Sequence, residues 1–97
     1  MKNRENTMFL DAISKLDAAT NSMGEFTILA KKIVEFPDEK TVNKFVSKYM
    51  KLVEEANSYS EITLRIIQLA RESIYRYFGY LKMKELYTDS VEDNDIY

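Results

Sequence analysis

The sequence predicts an all-α protein: a small bundle of three to four antiparallel helices with a long C-terminal helix and a short acidic tail. Three observations predict it. Glycine occurs twice and proline once in 97 residues, too few turn residues for an all-β chain. Apolar residues recur three and four positions apart over four separate stretches, the period of one helix face. Hydrophobic residues make up 45% of the chain and charged residues 31%, a balance that supports a folded core rather than disorder. A chain of this length is one domain with a thin core, burying about 60–65% of its unfolded surface. It divides into a helical body, residues 1–87, and an acidic tail, residues 88–97.

The first helix is expected from Asn6 or Thr7 to Thr20, with Phe9, Ala12, Ile13, Leu16 and Ala19 on one face. Asn21-Ser22-Met23-Gly24 interrupts it. Ser22 followed by Glu25 fits a capping box, in which each side chain satisfies the other's free backbone N–H. That predicts a second helix from Met23 to Phe36, its buried face formed by Phe26, Leu29, Ala30, Ile33 and Val34. The alternative is one long helix running through Gly24, at a cost of about 1 kcal/mol for the glycine.

Pro37 ends this segment, because proline disfavours helical geometry at the residue before it. Asp38 then caps a third helix, Glu39 to Ala56. Its seam is Val42, Phe45, Val46, Tyr49, Leu52, Val53 and Ala56, the spacing of antiparallel bundle packing. Ser58 and Glu61 form a second capping box, opening a fourth helix from Tyr59 to Tyr87. Ile62, Ile66, Ile67, Leu69, Ala70, Ile74, Tyr77, Phe78, Tyr80 and Leu81 cover well over half of its circumference. A helix apolar most of the way round is expected to be buried on more than one side, either at the centre of the bundle or between copies.

The residue inventory narrows the chemistry. There is no Cys and no His, so disulfides, Cys/His zinc sites, a thiol nucleophile and an imidazole base are all excluded. The Glu-x-x-His signature of di-iron bundles is therefore absent. Helical nucleotide pyrophosphohydrolases hold Mg²⁺ with Glu-x-x-Glu and Glu-x-x-Asp pairs; the comparable Glu35-x-x-Asp38 is broken by Pro37. Gly24 and Gly79 alone cannot build a phosphate-cradling loop. Residues 1–36 carry five bases and five acids, so a helix-turn-helix around Gly24 lacks the basic footprint for DNA. No apolar run spans a bilayer, and Asp11, Lys15 and Asp17 interrupt any signal-peptide core. The expectation is a cytoplasmic, non-enzymatic protein with no cofactor.

Three features stand out as candidate binding determinants. Lys40, Lys44, Lys48 and Lys51 form a basic stripe on the third helix; the plainer reading is a solvated face. Arg71, Tyr75, Arg76, Tyr80, Lys82, Lys84 and Tyr87 form an aromatic and basic surface, with five bases and one acid from Arg65 to Lys84. Rigid tyrosine rings supply contact area, and a guanidinium grips a carboxylate or phosphate with two hydrogen bonds. The third is the tail: Asp89, Glu92, Asp93 and Asp95 without a base leave 12 acids against 14 bases in the rest. The tail is expected to be a solvated end; the alternatives are a short docking peptide, a mimic of nucleic-acid charge, and docking onto the chain's own basic body.

These features predict a helical interaction protein, such as a phage or mobile-element regulator or inhibitor, that self-associates through the fourth helix and binds a partner protein. The alternatives are an oligomeric protein sequestering an anionic, for example cyclic, nucleotide and a weak nucleic-acid binder, the last disfavoured by the charge balance. In size, lack of Cys, helix number and trailing tail the chain resembles the small four-helix bacteriocin immunity proteins, which implies protection of the producing cell. The Lys-, Asn-, Ile- and Tyr-rich composition is similar to that of accessory proteins from AT-rich phage and mobile elements.

Overall fold

The computed structural model describes the backbone of residues 3–95 and the side chains of residues 3–85. Four α-helices are present, and the described residues contain no strand. They are α1 (Arg4–Thr20), α2 (Glu25–Glu35), α3 (Glu39–Glu54) and α4 (Glu61–Asp95), with a 3₁₀ turn at Ala56–Ser58 before α4. Helices 1 and 2 are separate. Asn21, Met23 and Gly24 all take positive φ between them, and three left-handed residues cannot continue a right-handed helix.

The start of α2 departs from the predicted capping box. Its N-cap is Gly24, which brings no side chain. The Ser22 hydroxyl instead pairs with the Thr20 hydroxyl at 2.6 Å. Three of the free N–H groups of the first turn nevertheless have acceptors. Glu25 donates to the Ser22 carbonyl, and Ile28 opens the intrahelical ladder on the Gly24 carbonyl. The N–H groups of Phe26 and Thr27 donate to the two oxygens of Asp17, at 3.1 and 2.7 Å. The Thr27 hydroxyl bonds the same carboxylate. A buried acid at the end of α1 thus caps the next helix, placing negative charge at its positive pole.

The other caps are local. Asn3 accepts from the N–H groups of Glu5 and Asn6, so α1 starts earlier than its apolar pattern implies. Asp38 caps α3 as predicted, accepting from Lys40. At α4 the predicted Ser58–Glu61 box does not form. The Ser58 hydroxyl donates to the Glu55 carbonyl, and Ser60 accepts from the Thr63 N–H at 3.2 Å.

Each helix brings a ring to the centre of the core. Phe9 of α1 stacks on Tyr77 of α4 with centroids 4.2 Å apart. Phe45 of α3 lies 5.8 Å from Phe9 and meets Phe26 of α2 edge-on at 5.7 Å. Such pairs contribute about 0.5–1.5 kcal/mol beyond area burial. The Tyr77 hydroxyl donates to Asn6 at 2.8 Å, so the buried phenol keeps a partner. Ile13, Leu16, Ala30, Ile33 and Ala70 are buried around these rings.

Helix α1 packs on both α2 and α4, and α2 packs on α3. α1 therefore holds the middle position that the broad apolar arc suggested for α4. Helix α4 buries a single stripe, Ile67, Ala70, Ile74 and Tyr77, while Ile62 (77% exposed), Leu69 (51%) and Tyr75 (63%) face outward. Burial on several sides within this chain is thus corrected: the bundle has too few helices to surround α4. The α4 backbone stays helical through Asp95; the side chains of the acidic tail lie outside the described residues. No described helix is long and apolar enough to cross a membrane.

Candidate functional site

Helices α3 and α4 do not approach closely along their backbones; large side chains hold them apart. Phe45 meets Phe78 edge-on at 6.1 Å, and the Tyr49 hydroxyl crosses to donate to the Ile67 carbonyl at 2.7 Å. Burial pushes the Tyr49 phenol up in pKa, with the nearby Arg71 charge opposing. Rings used as spacers leave a groove of about 250 Å³ between the helices. Its floor is Phe45, Tyr49, Ile74 and Phe78.

The α3 rim is Val46, Met50 and Val53, 38%, 52% and 38% exposed. Each follows a core residue or sits one step round the helix from it: Phe45, Tyr49 and Leu52 point inward. The α4 rim is Arg71 and Tyr75, one turn apart. Arg71 donates to the Tyr75 hydroxyl at 3.4 Å, and its guanidinium lies 5.2 Å from the ring centroid. The hydrogen bond to Tyr75 and that residue's potential raise the Arg71 pKa further. Among the described residues Arg71 is the only charged one lining the groove, and no carboxylate there pairs with it.

The remaining residues of the predicted surface do not converge here. Arg76 grips Glu5 of α1 through two hydrogen bonds of 3.1 Å, and this holds the Glu5 carboxyl below its usual range. Tyr80 accepts from Asn3 at 2.6 Å. Both therefore tie α4 to the start of α1, on the flank away from the groove. Lys82 and Lys84 are exposed beside an open recess that also contains Glu35 and Glu85, so its charge is mixed. The side chain of Tyr87 lies outside the described residues.

The lysine stripe is also divided. Lys48 pairs with Glu25 across the α2–α3 contact and sits 5.4 Å from the Phe26 ring. That hydrogen bond lowers the Glu25 pKa. Lys40, Lys44 and Lys51 are exposed. No cluster of three or more metal-ligating residues occurs among the described residues. No buried side-chain polar atom there lacks a hydrogen-bond partner.

Arg71 and Tyr75 were expected at a binding surface from sequence, and Val46 and Val53 were expected in the core seam. Met50 was not singled out. Its signal is the row Val46, Met50, Val53, a second helical line of apolar residues parallel to Phe45, Tyr49, Leu52. The groove thus offers apolar area, the exposed Tyr75 hydroxyl and one cation. Comparisons with protein-family models, curated proteins and solved structures find no match for this chain.

Proposed function

We propose that this chain is a non-catalytic interaction module, and that its α3/α4 groove receives an amphipathic helix whose apolar side chains enter the groove and whose carboxylate meets Arg71. The observation that carries this reading is the exposed row Val46, Met50 and Val53 facing Tyr75 across an aromatic floor, with Arg71 as the single charge. Helix-in-groove recognition uses a few apolar anchors at helical spacing, and an arginine fork adds orientation through paired hydrogen bonds to a carboxylate.

Size supports a helix over the other occupants. Small-molecule sites generally enclose roughly 300–1,000 Å³, more than this groove. A flat pairing of two copies across the same face needs on the order of 20–30 residues a side, and the rim offers four exposed apolar side chains. Regulator, inhibitor and immunity roles all remain within the reading, since each works by covering a partner's surface. The nucleotide and nucleic-acid readings gain nothing from the groove. Two of the cations they call on, Arg76 and Lys48, already hold glutamates.

The test is selection from a displayed library of random amphipathic helices against the full chain. Enriched peptides should carry apolar residues at i, i+3 or i+4 and i+7 and at least one Asp or Glu. Arg71→Glu should weaken them by about 10- to 100-fold, the loss of one charge-assisted contact of about 1.5–3 kcal/mol. Met50→Glu, which puts a charge into the apolar rim, should act likewise. Binders indifferent to both substitutions, or no enrichment at all, would sink the proposal.

A further inference from the structure

The outward face of α4 carries charges in an order that complements itself. At about 100° per residue, Glu61, Arg65, Leu69, Glu72 and Arg76 fall within about 80° of one another, opposite the buried stripe of Ile67, Ala70, Ile74 and Tyr77. All five are exposed. The charges run acid, base, acid, base, separated by four, seven and four positions. That spacing is the same read from either end, while the signs invert. Leu69, 51% exposed, stands in the central gap. None of Glu61, Arg65 and Glu72 pairs with a charge among the described residues. Arg76 holds Glu5 through Nε and one terminal nitrogen, which leaves the N–H groups of its other terminal nitrogen as donors.

We infer that two copies of this chain pair through these faces, their α4 helices antiparallel about a two-fold axis between Gln68 and Leu69. The charge order selects that arrangement. Each Arg65 then lies level with Glu72 of the second copy and each Glu61 with its Arg76, and the two-fold axis repeats both contacts. The two Leu69 side chains meet beside the axis. A parallel pair would instead set every charge against its own copy. Sliding the antiparallel pair by one turn opposes Glu61 with Glu72 in one direction and Arg65 with Arg76 in the other. Like charges thus penalise the wrong orientation and the neighbouring registers. A strip about 22 Å long and about 10 Å wide is well below the roughly 800 Å² per partner of a standard interface, so the pair is weak and reversible. Arg71 and Tyr75 lie to one side of this face, so the α3/α4 groove stays open in the pair and the inference does not rest on its occupant.

The experiment is the solution mass of the full chain by light scattering, from micromolar to millimolar concentration, for wild type, Leu69→Glu, Arg65→Glu and Glu72→Arg. Wild type should dimerise in the upper part of that range and less so in molar salt, which screens exposed charges. Leu69→Glu sets two acids side by side at the axis, and Arg65→Glu or Glu72→Arg turns two attractions into repulsions. Each should weaken the dimer at least about tenfold. Mixing the Arg65→Glu and Glu72→Arg chains restores all four opposite-charge pairs between unlike chains, so the mixture should dimerise as wild type does. Far-UV circular dichroism checks that each variant is folded; all three positions are exposed, so the fold should persist. A wild type that stays monomeric at millimolar concentration and low salt overturns the inference. So does a dimer unmoved by the three substitutions, and so does a mixture no heavier than its separate components.

Discussion

Replacing Asp17 with alanine should be among the most damaging single changes outside the aromatic core. Asp17 is 6% exposed and is the only buried charged residue among those described. Its carboxylate accepts the N–H groups of Phe26 and Thr27 and the Thr27 hydroxyl, and the α2 N-cap, Gly24, offers no substitute. Truncation strands the Phe26 N–H in the core. An unsatisfied buried donor costs about 1–3 kcal/mol, and loss of a partly buried charge at a helix pole up to about 2 kcal/mol. These overlap, so the net loss should be about 2–4 kcal/mol. With about 4–8 °C per kcal/mol for a domain near this size, the melting temperature should fall by on the order of 10–25 °C. Asp17→Asn keeps one acceptor oxygen and should lose about half as much. The assay is urea and thermal unfolding followed at 222 nm. The control is Asp11→Ala, which removes an exposed pairing with Lys15 and should leave the melt unchanged. An Asp17→Ala loss below about 1 kcal/mol would refute tertiary capping of α2, because a cap of this kind costs about that much even at an exposed site.

Other consequences can be checked with the same melts. Met23 takes φ 56° and is 90% exposed, so Met23→Gly should stabilise the fold by up to about 1 kcal/mol through relief of left-handed strain; destabilisation would mean that the Met23 side chain contributes packing. Tyr49→Phe removes the hydroxyl that spans α3 and α4 and should cost about 0.5–1.5 kcal/mol, read as a lower urea midpoint. Glu5 and Glu25 have folded pKa values lowered first by hydrogen bonds to Arg76 and Lys48. Their contribution is present above the unfolded glutamate value of about 4.3 and is lost as pH falls through the folded values. A Glu5→Gln/Glu25→Gln variant should therefore show a shallower acid limb in its stability profile. Burial raises the pKa of Tyr49 and Tyr77, so stability should fall as pH rises from about 10, where the unfolded chain ionises first; unfolding midpoints unchanged to pH 11 would refute this.

The helices were legible because their apolar periods are strong and Pro37 and Asp38 mark the α2–α3 boundary without ambiguity. The caps were less so. Ser22 and Glu25 have capping-box spacing, yet the acceptor for α2 comes from Asp17, which only tertiary packing brings near. At α4 two serines stand two positions apart, and the 3₁₀ turn diverts Ser58 to the Glu55 carbonyl, leaving Ser60 to cap. The breadth of the α4 apolar arc was plain in the sequence, but whether such an arc is buried depends on how many helices surround it. Here Ile62, Leu69 and Tyr75 remain outside. For the groove, Arg71 and Tyr75 stood out by residue type. Its α3 wall did not, because Val46 and Val53 read as core until Phe45, Tyr49 and Leu52 take that place.

The length of α4 also governs how the molecule moves through solvent. Thirty-five residues make a rod of about 52 Å, and the longest dimension of the chain is 57 Å against 26 and 19 Å across. Its radius of gyration, 15.3 Å, exceeds the roughly 12.5 Å of a compact domain of equal length. Such a particle meets more friction than a sphere of its mass. A lone chain should leave a sizing column early, in the position of a heavier globular protein, and retention time by itself will imitate a dimer.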